Sequence, residues 1–67
     1  MNPILEPILH QLQKGHVQAA LVKLRAEIDQ TPISAPDYAP MVIAAVAIEA
    51  GRYLDARIVL HKAINGL

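Results

Sequence analysis

One ten-residue pattern occurs twice in this chain. From Gly15 the sequence reads Gly-x-Val-x-x-Ala-x-x-x-Leu, and from Gly51 it reads Gly-x-Tyr-x-x-Ala-x-x-x-Leu, an offset of 36 residues. Each copy interrupts a run with helical spacing of apolar residues, and glycine is poorly tolerated inside a helix. The two glycines therefore read as turns, each joining two helices into a hairpin. A repeat period of roughly 20–50 residues marks stacked supersecondary units. A chain of 67 residues has room for two of them.

The flanking sequence predicts four helices. The first runs from about Pro3 to Lys14, with Asn2 as N-cap and Pro3 at the first helical position. Ile4, Ile8 and Leu12, and Leu5 and Leu9, keep helical spacing. Pro7 lacks a backbone donor, so the regular helix is open to a start at Glu6-Pro7. The second runs from about Val17 to Gln30, with Val17, Ala20, Leu21, Leu24 and Ile28 as its apolar stripe. Lys23–Glu27 and Arg25–Asp29 are spaced to form i,i+4 pairs. The stretch "TPISAPDYAP", residues 31–40, is the long connection. Asp37 reads as the next N-cap, and Pro40 falls third in the helix, where its missing N–H costs little. The third helix, Tyr38 to Ala50, is apolar nearly all round, which predicts a central or partner-covered element. The fourth runs from Arg52 to about Asn65, with Tyr53, Ala56, Leu60, Ala63 and Ile64 inward and Asn65-Gly66 as its ending. No stretch alternates apolar and polar residues as a strand would. The expected fold is all-α, two stacked antiparallel helical hairpins in one domain over 1–67. The repeat units cover 1–32 and 37–67, and the loop covers 31–37.

The pattern resembles the tetratricopeptide family. That family places Gly in the turn, an aromatic two residues later, Ala after five, an apolar residue after nine, Ala after twelve and Pro after seventeen. The second unit supplies Gly51, Tyr53, Ala56, Leu60 and Ala63. The first supplies Gly15, Val17, Ala20, Leu24 and Pro32, and departs from the pattern at Val17 and Glu27. The small residue of the family's first helix is matched by Ala44 but replaced by Ile8.

The resemblance implies that the first helix of each unit lines a concave groove. By position, Leu5, Leu9 and Leu12 would face it from unit one, with Asn2 and Gln13. Tyr38, Met41, Ala45 and Ile48 would face it from unit two, with Glu49. The Lys, Arg and Asn residues with which family members grip peptide carboxy-termini are absent there. An apolar groove suits an amphipathic helix, and Met41 adds adaptability. These same residues could instead pack on one another inside the two hairpins.

Composition narrows the classes. The 54% of hydrophobic residues includes no Phe or Trp, so the surplus is aliphatic and some is expected on the surface, where apolar patches mark interfaces. Formal net charge is zero, and Arg52, Arg57 and Lys62 are too mixed with Glu49 and Asp55 to form a nucleic-acid stripe. The longest apolar run, "YAPMVIAAVAI", has 11 residues against the ~20 a membrane span needs. The amino terminus shows no signal-peptide pattern. There is no cysteine, which removes thiolate metal sites and suits a reducing compartment. His10, His16 and His61 lack the spacing of a metal cluster and read as solvated. Ser34 has no recognisable base, and no phosphate-binding glycine loop exists.

The expected function is therefore protein binding without catalysis, cofactor, metal or small-molecule substrate, in the cytoplasm. Very small tetratricopeptide proteins with apolar grooves are similar to bacterial type III secretion chaperones that hold needle subunits, and the resemblance implies such a client helix. The alternative is a self-associating helical module whose apolar face closes a homodimer. Two units fall short of the roughly three usually needed for independent stability, a further reason to expect a partner.

Overall fold

The computed structural model describes residues 3–66. These form four α-helices: α1 over Leu5–Gln13, α2 over Val17–Gln30, α3 over Tyr38–Glu49 and α4 over Tyr53–Asn65. No strand occurs among the described residues. The fold is all-α, built from two helical hairpins, α1–α2 and α3–α4.

Both hairpins open alike. Pro7 and Pro40 each occupy the third residue of a helix, α1 and α3 respectively. The first four N–H groups of a helix have no partner within it, so neither ring removes a helical bond. Pro3 and Ile4 form a turn ahead of α1 rather than its first residues. Asn2, the expected cap, lies outside the described residues. Asp37 does precede α3, but its carboxylate makes no capping bond. A capping side chain needs an extended backbone, whereas Asp37 already lies at φ −80° and ψ −13°. The connection winds into α3 through successive turns, in which the N–H groups of Ala35 and Tyr38 donate to the carbonyls of Pro32 and Ala35.

The two hairpin turns are copies of each other. The N–H of Gly15 donates to the Leu12 carbonyl at 3.1 Å, and that of His16 to the Gln11 carbonyl at 2.9 Å. The N–H of Gly51 donates to the Ile48 carbonyl at 3.0 Å, and that of Arg52 to the Ala47 carbonyl at 2.8 Å. Each pair of bonds is a Schellman ending, which needs its central residue in the left-handed region. Gly15 and Gly51 supply it, at φ +85° and +78°. His16 and Arg52, at φ −84°, ψ 64° and φ −95°, ψ 66°, then launch the second helix of each hairpin.

The core repeats at the same offset. Leu5, Ile8, Leu9 and Leu12 of α1 are buried, and so are Met41, Ala44, Ala45 and Ile48 of α3. Ala20 and Leu24 of α2 are fully enclosed, as are Ala56 and Leu60 of α4. Leu21, Ala63 and Ile64 complete the core, with Val17, Ile28, Ala47 and Val59 packed against it. Tyr53, expected inward, is 45% exposed. It is the first residue of α4, directly after the turn.

How the hairpins meet positions everything else. α1 packs on α2 and α4, and α3 packs on α4 and α2; the diagonal pairs, α1 with α3 and α2 with α4, do not bring their Cα atoms within 8 Å. The helices form a closed ring in which each has two neighbours. Exchanging α1 with α3 and α2 with α4 leaves this set of packed pairs unchanged. Packing of α1 on α4 covers a face that an open pair of units would leave bare.

Candidate functional site

Ring closure decides where apolar surface remains. α1 and α3 lie on a diagonal, so they do not stand side by side as walls of a shared groove. The groove residues expected from the sequence are core residues instead. Leu5 and Met41 have no exposure, and Leu9, Leu12, Ala45 and Ile48 are buried. Tyr38 is half-buried. The physical reason is that each helix has a neighbour on both sides, which turns its main apolar stripe toward the centre. A partner would reach these six side chains only if the hairpins parted.

Of the large apolar residues left exposed, Ile43, Val46, Tyr53, Leu54 and Ile58 lie on the second hairpin, while Ile4, Val22 and Ile33 lie on the first hairpin and the connection. In α3 the core residues Met41, Ala44, Ala45 and Ile48 take one face, and Ala39, Ile43, Val46 and Ala50 follow the opposite one at spacings of four, three and four. Ile43 and Val46 are 56% and 58% exposed, and Ala39 and Ala50 are exposed. The sequence signal for this face was the lack of any charged residue in α3 before Glu49. Leu54 and Ile58 of α4, 64% and 47% exposed, line a separate recess with Gln13, Arg57 and His61. A shallow recess of about 200 Å³ lies on the outer face of α3, lined by Ile43, Val46, Ala47 and Ala50 and bounded by Arg52 and Asp55.

The charges around that face are settled among themselves. Arg52 donates from Nε to Asp55 Oδ2 at 2.8 Å, and its Nη2 lies 2.7 Å from the same oxygen. Glu49 pairs with Arg25 of α2 and so ties the two hairpins together. Arg25 was expected to pair with Asp29 one turn on, and Lys23 with Glu27. Among the described residues neither pair forms; Arg25 instead reaches across to the neighbouring helix.

Other recesses lie elsewhere on the molecule. One of about 380 Å³ lies between the start of α1 and the end of α2, with Ile4, Pro7, Ile8 and Ala26 against Lys23, Glu27 and Gln30. Another, of about 320 Å³, brings Glu6 and His10 of α1 near His61 of α4. His10, His16 and His61 are exposed, and the Asn65 amide lies 3.0 Å from His61 Nε2. Among the described residues no three His, Cys, Asp or Glu side chains are placed to hold a metal ion. No helix among them is long and apolar enough to cross a membrane.

No family model matches the chain, and neither a curated protein nor a solved structure matches it.

Proposed function

We propose that this chain is a non-catalytic protein-binding module, and that it binds through the outer face of α3. The observation that carries this reading is the stripe Ala39, Ile43, Val46, Ala50. An apolar helical face of this length, with positions at i, i+4, i+7 and i+11 and no charge on it, is a surface against which a second helix packs. The function expected from the sequence is kept, while its surface moves from the interior of the ring to the exterior of the second hairpin. The finer form, a secretion chaperone holding the amphipathic helix of a client, rests on the tetratricopeptide resemblance.

A photo-reactive residue placed at Val46 tests the reading in the native host. It should give a discrete protein adduct identifiable by mass spectrometry, whereas the same residue at exposed Lys14 of the first hairpin should give none. Equal labelling from both positions, or none from Val46, would overturn it.

A further inference from the structure

We infer that two copies of this chain exchange hairpins: the α1–α2 hairpin of one closes the ring on the α3–α4 hairpin of the other. The surface exchanged is the seam between the hairpins, so the outer face of α3 stays free for another partner.

The chain has one place where it can open. Three residues join the helices within each hairpin, and a Schellman ending holds them. Seven, residues 31–37, join α2 to α3. Fully extended, seven residues reach about 23–25 Å, enough to cross the 21 Å width of the molecule. The bonds of this connection are local. Thr31 Oγ1 donates to the Glu27 carbonyl at 2.7 Å, and the Ala35 N–H to the Pro32 carbonyl at 3.0 Å. No core residue comes from it, and Ile33 is 81% exposed. A proline biases the residue before it toward extended backbone, so Pro32 and Pro36 both favour a straighter path. Thr31 already takes it, at φ −101° and ψ 129°.

The seam itself suits exchange. α1 meets α4 and α2 meets α3 through the shared apolar core. Among the described residues the polar link across it is the half-solvated Arg25–Glu49 pair. A second copy offers the same faces, so exchange keeps every seam contact and needs no new surface. Net charge is zero, so the copies do not repel each other. A core this small holds the ring only marginally, and parting the hairpins costs less than unfolding them. Closure within one chain acts at an effective concentration of about millimolar. The exchanged dimer therefore forms at high chain concentration, most readily on refolding.

Refolding from urea over a dilution series, followed by sedimentation equilibrium, tests this. The mass should be that of two chains when refolding is concentrated, about millimolar, and of one chain when it is dilute. Val46→Glu, outside the seam, should leave the dimer intact. The chain contains no cysteine, so the seam can be marked. Arg25→Cys and Glu49→Cys chains are refolded together at high concentration. A bifunctional thiol reagent as long as the ion pair it replaces should then link them to each other several-fold more than either to itself. Deleting residues 32–36 removes both prolines and lets α2 run on into α3. Closure within one chain is then lost, and the mass should be two chains at every concentration.

A wild-type chain with the mass of one chain at every concentration overturns the inference. So does a dimer in which Arg25→Cys chains link to one another as readily as to Glu49→Cys chains, or one that Val46→Glu abolishes. A folded, monomeric deletion variant overturns it as well. Cross-linking from Val46 to a different protein is independent of all these outcomes, so the reading of the α3 face stands or falls separately.

Discussion

Ala20 and Ala56 occupy the same place in their hairpins, 36 residues apart, and both are completely enclosed. Their N–H groups donate to the carbonyls of His16 and Arg52 at 3.0 and 3.2 Å, the first helical bond after each turn. A larger side chain at either place would have to displace the buried residues around it. Ala56→Leu should therefore destabilise the fold by about 1–3 kcal/mol through overpacking. A core of this size supplies only about 3–5 kcal/mol in all. Urea denaturation followed by circular dichroism should show the midpoint falling steeply. An unchanged midpoint would mean that the helices of the hairpin have room to separate.

The turn glycines give a cleaner comparison. A methyl group added at Gly51 or Gly15 would touch nothing within 4 Å, yet both backbones are left-handed. The cost of Gly51→Ala is thus conformational, about 1–2 kcal/mol. Gly15→Ala should cost the same within error, because the two turns share one hydrogen-bond pattern. Gly51→Asn should cost less, since Asn tolerates this region better. Thermal unfolding of the three variants decides it, and a sterically severe loss at one glycine alone would contradict the equivalence of the turns.

Gln11 holds the fold's one buried, unpartnered side-chain oxygen among the described residues, Oε1. Leaving such a group unsatisfied costs about 1–3 kcal/mol, while an apolar group of similar shape avoids that cost. Gln11→Met should accordingly be neutral or stabilising by up to about 1 kcal/mol, raising the thermal midpoint. A clear loss of stability would reveal that an internal water serves this oxygen.

Arg25 and Glu49 join the hairpins through an ion pair whose side chains are 55% and 45% exposed. Half-solvated pairs contribute about 0.2–1 kcal/mol, less as salt is added. A double-mutant cycle with Arg25→Gln and Glu49→Gln should return a coupling energy in that range that shrinks at high ionic strength. A coupling that stays unchanged in salt would point to packing of the two stems rather than charge.

Much of this architecture is legible in the residues because it is locally determined. Gly15 and Gly51 mark turns because the Schellman ending needs a left-handed residue, and that need does not depend on what packs nearby. Pro40 fits third in its helix for an equally local reason, whereas Pro7 takes that place only because α1 begins at Leu5 and not at Pro3 or Glu6. The stripes of Leu5, Ile8, Leu9 and Leu12 and of Ala56, Leu60 and Ala63 follow from helical periodicity. Asp37 and Tyr53 were less legible: a turn ahead of α3 sets the backbone of one, and the other, first in α4 directly after the turn, is 45% exposed.

The sequence by itself determined four helices, two equivalent hairpins and which side chains are core-competent, since period, glycine and proline act within a few residues. Only the tertiary structure decided how the hairpins meet. The same two units could stack by translation, with α1 beside α3, or close by rotation, with α1 beside α4, and local spacing is identical in both. Closure turns Leu5, Leu9, Leu12, Met41, Ala45 and Ile48 inward. α3 is apolar on more sides than two neighbours can cover, so Ile43 and Val46 are left facing out. Long-range packing, which no window of the sequence contains, thereby moved the candidate binding surface from one face of that helix to the other.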